Sequence, residues 1–191
     1  MLSVAAVPVM RGLGGSQSSR ATAQILVSAL EQARTAAILS GTNAYLALPD
    51  GSFSATNYQF RSYAIVRPAV DLDGSTKDDF QTNVNAGDWV LLSKWERLPG
   101  DLIFSSNRLT QLTNRITPTG VPFPGNATAS ALPVIGFTPG GGLVEPSGTA
   151  GLLFASSNKV SGGRASVADR IEISQYSGRV RYAGMVTNTN F

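Results

Sequence analysis

The chain has 191 residues, of which 42% are hydrophobic and only 14% charged, with a net charge of +3 and neither cysteine nor histidine. Those two absences exclude a Ser-His-Asp triad, a thiolate nucleophile, a disulfide framework and a Cys/His zinc site. The length supports one ordinary domain, or one domain with a protruding element, and 20 glycines with 10 prolines favour strands and loops over a helical bundle.

The chain opens on an apolar run from Leu2 to Met10, which is too short to span a bilayer. No basic residue precedes it, so it does not read as a signal peptide. From Gln17, Leu26, Leu30, Ala33 and Ala37 recur at helical spacing, with Ile25, Ala29 and Ala36 widening the stripe. Gly41 stands where a helix stops. Gly12, Gly14 and Gly15 each cost about 1 kcal/mol relative to alanine, so a bend or melted turn is expected over residues 12–16. The expected helix therefore covers residues 17–40.

Beyond it the pattern changes. Strands are expected at Asn43 to Leu48, Tyr58 to Val66, Trp89 to Trp95, Leu102 to Phe104, Leu132 to Phe137 and Gly151 to Ala155. Pro49-Asp50-Gly51 and Thr138 to Gly142 read as turns. Residues 107–125 and 158–167 read as loops. The clearest hairpin joins Asp169–Ser174 to Arg179–Tyr182 through the turn Gln175 to Gly178. A helix followed by a β-rich segment, 42–191, gives the α+β class with antiparallel sheet and no internal domain boundary.

No constellation of catalytic residues stands out. Asp71, Asp73, Asp78 and Asp79 surround Gly74 as in a calcium loop, but EF-hand spacing puts Thr82 where the bidentate glutamate belongs. A solvated loop is the expectation. Asp88, Glu96 and Asp101 lie among turns with nothing to mark them as a catalytic pair. The run Thr138 to Gly142 lacks the lysine and helix of a phosphate loop. The protein is expected to be no enzyme, without metal or cofactor. Trp89 and Trp95 are read as core packing. Arg179 and Arg181 alternate on a strand and so share a face, with Arg164 and Arg170 nearby in sequence.

Four segments carry a resemblance: Ala5-Ala6-Val7-Pro8-Val9-Met10; Ala33-Arg34-Thr35-Ala36-Ala37-Ile38; Val134-Ile135-Gly136-Phe137-Thr138-Pro139-Gly140-Gly141; and Arg170-Ile171-Glu172-Ile173-Ser174 with Ser177-Gly178-Arg179-Val180-Arg181. In this order the chain resembles the type IV pilin and type II secretion pseudopilin superfamily, in its minor GspH/FimT-like branch. In that family a basic leader and an apolar helix precede such segments, and neither stands ahead of Met1. The resemblance implies that residues 1–16 are the remnant of a membrane and filament helix and that 17–191 is one pilin-like domain. It implies a filament subunit whose partners are other pilin or pseudopilin subunits, held in the bacterial inner membrane by a single pass, with a periplasmic or extracellular domain. Packing would fall to Val4, Val7, Pro8, Val9, Ile25, Leu26, Ala29, Leu30 and Ala33. The alternative it implies is a minor pilin that binds DNA through Arg179 and Arg181.

Overall fold

The computed structural model describes residues 7–81, 83–128, 130–144 and 151–191. Helix α1 (Val7–Ser40) is followed by β1 (Ala44–Ala47), β2 (Ser62–Pro68), β3 (Trp89–Leu91), β4 (Glu96–Arg97) and β5 (Leu102–Phe104). After α2 (Ser106–Gln111) come β6 (Arg115–Ile116), β7 (Leu132–Phe137), β8 (Gly151–Ser156), β9 (Val160–Ser161), β10 (Arg164–Ile173) and β11 (Val180–Asn190). The α+β class, the N-terminal helix and the antiparallel sheets are as the sequence implies.

The strands form two sheets. The first is ordered β3-β2-β1-β7-β6, with β4 also paired to β2; the second is ordered β11-β10-β8-β5, with β9 on β10. All pairings are antiparallel. Helix α1 lies over both. Its Leu26, Leu30, Ala33 and Ala37 share one core with Leu46, Ile65, Ile135 and Phe137 of the first sheet and Phe104, Leu152, Phe154 and Ile171 of the second. Alanines on the helix let the strands approach closely, and the leucines fill the space between.

The helix departs from expectation in two places. It is continuous through residues 12–16, because a glycine propensity near 1 kcal/mol is a weak prior that helical context overrides. Ile25, expected on the packed stripe, is 51% exposed. At about 100° per residue it lies near 100° from Leu26, whereas the buried side chains span an arc of about 120° centred on Leu26. Val4 lies outside the described residues; Val7, Pro8 and Val9 belong to the helical backbone.

Other elements run differently too. Residues 107–111, expected as loop, belong to α2, whose preceding Ser105 accepts the Arg108 amide at 3.1 Å. Residues 164–167, also expected as loop, begin β10, since Ala165 is a small buried side chain in an otherwise polar alternation. Strand β2 starts only at Ser62 and runs through Pro68, after a 3-10 turn at Thr56–Tyr58. The Trp89–Trp95 segment is extended only over β3, at the sheet edge.

Candidate functional site

Three surfaces carry the expected functional residues. The first is the helix. Leu26, Ala29, Leu30 and Ala33 are buried against the sheets, so they hold the helix to its own domain. Ile25 and Leu39, the latter 75% exposed, lie on the opposite flank. Between residues 19 and 40 only Arg20, Glu31 and Arg34 are charged, and the last two face inward to turns. Glu31 accepts the Val180 amide at 3.1 Å, and Arg34 donates to the Gly141 carbonyl at 3.0 Å. Arg34 also pairs with Glu31 at 3.3 Å. Helix, glycine turn and hairpin are thus tied at one point.

That junction explains why the late glycines stand where they do. A Cβ at Gly178 would lie 1.9 Å from the Gly141 carbonyl oxygen, at a φ of 61°. A Cβ at Gly136 would lie 2.6 Å from the Tyr45 ring, its neighbour across β1 and β7. Both positions belong to the family-like segments, and both are requirements of close packing.

At the other end of the described helix side chains, Ser19 donates to Asp169, which also accepts the Tyr182 hydroxyl at 2.6 Å. Burial, reinforced by the adjoining Asp169 carboxylate, pushes the Tyr182 hydroxyl up to about 12.

The second surface is the outer face of β10 and β11. Val180 packs beneath the helix, so Arg179 and Arg181 on either side of it project to the opposite face, as alternation implies. Arg179 lies just before the strand, and its carbonyl accepts the Ser174 amide at 2.9 Å. Arg181 pairs with Glu172 at 2.6 Å, and Arg170 reaches the same carboxylate at 2.8 Å. The Arg181 hydrogen bond first, with the charges of Arg170 and Arg181 behind it, holds the Glu172 carboxyl below its usual range. Among the described residues no carboxylate lies within ion-pair distance of Arg179. Arg164 meets Asn190 at 3.4 Å instead.

The third surface is the acidic loop. Asp78, buried, makes a two-pronged pair with the buried Arg67 at 2.7 and 2.8 Å and accepts the Val70 amide at 2.7 Å. The Arg67 hydrogen bonds hold its carboxyl down at about 2, against the opposing effect of burial. Asp71 accepts the amides of Gly74, Ser75 and Thr76, and Asp73 that of Ser75. The carboxylates therefore serve the loop's own backbone, Thr82 lies outside the described residues, and among the described residues no acidic cluster is placed to hold a metal ion.

The remaining acidic residues do not converge. Asp88 accepts from Asn85, and Asp101 accepts from Ser156 on the β5–β8 side. Trp89 and Trp95 sit in a layer on the far side of the first sheet: Trp89 meets Tyr45 at 5.7 Å, while Trp95 meets Phe123 at 5.8 Å and Phe53 at 6.2 Å. The Trp95 indole donates to the Pro122 carbonyl at 3.0 Å. Core packing accounts for both.

Sequence reasoning missed Arg67 and Asp50. Asp50 pairs with Arg115 across 65 residues, and nothing local in a sequence signals such a contact. No known protein family, characterised protein or solved structure matches the chain. Among the described residues no helix is long and apolar enough to cross a membrane.

Proposed function

We propose that the protein is a structural subunit, a minor pilin or pseudopilin of a type IV pilus or type II secretion pseudopilus, that assembles through its N-terminal helix. The observation that carries this reading is the division of labour along α1. A narrow Leu/Ala arc seats the helix on the sheets, and an uncharged flank with Ile25 and Leu39 is left exposed. Residues 7–18 extend the same helix by about 18 Å. A long helix that commits one face to its domain has the rest of its surface for neighbouring helices. In this reading Val4, Val7, Pro8 and Val9 pack among other subunits, and the protein is anchored in the inner membrane with its domain outside the cytoplasm.

The chain lacks cysteine, so introduced thiols would be unique. Ile25→Cys and Leu39→Cys, oxidised in intact source cells, should give disulfide-linked species with another filament subunit carrying a matching thiol, recovered in the sheared filament fraction. A protein absent from that fraction, with no linked species, would end the reading.

Arg179, exposed and without a carboxylate partner among the described residues, favours DNA binding as a second reading. The charge is small, however. Arg170, Arg179 and Arg181 set against Glu172 leave two positive charges, which supports a salt slope of only about −2 in log–log binding. Duplex binding measured across salt, with Arg179→Ala plus Arg181→Ala as the control, tests it. No binding at low salt removes it.

A further inference from the structure

The loop between β2 and β3 holds two apolar side chains out in solvent. Leu72 is 83% exposed and Phe80 56% exposed. They belong to one ledge: the Leu72 amide donates to Asp79 at 2.6 Å, and the Asp79 amide donates to the Val70 carbonyl at 2.7 Å. The ledge is stiff, because the Arg67–Asp78 pair is buried beneath it and Arg67 lies 5.1 Å from the Phe80 ring centroid. A loop whose backbone is already fixed loses less entropy when it docks. Its fringe is acidic: Asp78 is cancelled by Arg67, and Asp71, Asp73 and Asp79 against Lys77 leave two negative charges.

The same chain carries the complement. At the tip end of the outer face of the β10–β11 hairpin, Arg170, Arg179 and Arg181 against Glu172 leave two positive charges uncompensated among the described residues, and Tyr176 at the tip is 87% exposed. We propose that the loop of one copy docks onto the hairpin of the next, with Leu72 and Phe80 against Tyr176 and the loop carboxylates toward Arg179 and Arg181. The two surfaces are different, so the contact is head-to-tail and does not close on itself unless a rotation brings it round. This inference rests on the subunit reading above, for which it supplies a contact made by the domain and not by the helix. The acidic fringe disfavours nucleic acid and anionic lipid as occupants of the loop.

Two variants test it: one copy carries Leu72→Ser with Asp73→Lys, the other Arg179→Glu with Arg181→Glu. The wild-type chain should sediment at rising mass as concentration climbs from micromolar to millimolar at low salt, and revert to monomer at high salt. Each variant alone should stay monomeric. Their equimolar mixture should form one-to-one dimers and nothing larger, since one intact loop then meets one intact hairpin. The mixture also reports that both variants fold. A wild-type chain monomeric throughout, a variant that associates like wild type, or a mixture that stays monomeric would overturn the contact. So would an arginine variant that loses duplex DNA binding while self-association is unchanged. Filament entry through α1 with no such association would sink this contact alone. Association without filament entry would sink the subunit reading alone.

Discussion

The six-stranded sheet is covered on both faces, while the five-stranded sheet is fully covered on only one. Under the helix the two are alike, since Leu46, Ile65 and Phe137 of the first and Leu152, Phe154 and Ile171 of the second belong to one core. Behind the first sheet, Tyr45, Ala47, Val66 and Val134 meet a second layer built from Phe53, Trp95 and Phe123. Behind the second, among the described residues, lie Leu153, Ala155, Ala165, Ala168 and Phe191 with a few half-buried neighbours, and charged Arg170, Glu172 and Arg181 share that face. The two-sided sheet is the anchor of the domain. The one-sided sheet has a face to spare, and the arginine strip sits there.

The strongest way to break this comparison is to attack the two-sided sheet from behind. Phe53→Ala, at a position 1% exposed, removes the ring that meets both Trp95 and Phe123 and should cost about 3–5 kcal/mol in chemical denaturation. Val186→Ala, half-buried behind the other sheet, should cost about 1 kcal/mol or less. Equal losses would mean that the aromatic layer is not a core in its own right.

Nearly as large an effect is expected where the two-sided sheet carries the acidic loop. Arg67→Met strands the buried Asp78 carboxylate and should cost about 3–5 kcal/mol. The same pair sets an acid limit. The folded carboxyl lies at about 2, below its ordinary value of 3.8. Its contribution is therefore present above pH 4 and is lost as pH falls through 2. Stability measured over that window should fall in the native chain and change less in an Arg67→Met, Asp78→Leu double variant. An identical acid limb in both would place the acid sensitivity elsewhere.

The helix and the late hairpin were legible in the sequence through periodic side chains, and β1, β7 and β8 as short apolar runs buried at successive positions. Ile25 misled because a residue adjacent to a buried leucine still turns about 100° away from it. The start of β10 was hidden by Arg164, Ser166 and the small Ala165, which read as loop until a partner strand is known. The arginine strip was visible by alternation, and its partner Glu172 stood in the same hairpin. The Arg67–Asp78 pair was not visible, because both residues look like ordinary surface charges until β2 folds beneath the loop. The proposed pilin-like assembly draws on resemblance, since the residues that would carry it are apolar and have no chemistry of their own.

A third effect, about 2–3 kcal/mol, is expected at the joint between the two sheets. Gly178→Ala puts a Cβ into the Gly141 carbonyl and forces alanine to a φ of 61°. Both obstacles are backbone, so no side-chain rotation relieves them. The hairpin should lift from the end of α1, releasing the Glu31 contact to the Val180 amide. Hydrogen exchange at Val180 should then rise more than at Leu46, which distinguishes local release of the joint from global loss.

The smallest effect is the most telling about the spare face. Glu172 is the one carboxylate shared by Arg170 and Arg181, and Arg181 is largely exposed. Glu172→Gln should therefore leave stability nearly unchanged, as solvent-facing pairs do. Its charge effect is larger: the strip gains a third uncompensated positive charge while the core beneath is untouched. If the strip receives the acidic loop of another copy, self-association at low salt should strengthen and become more salt-sensitive. A large stability loss would show instead that Glu172 pins β10 to β11, and the face would then be structural in the same sense as the aromatic layer behind the other sheet.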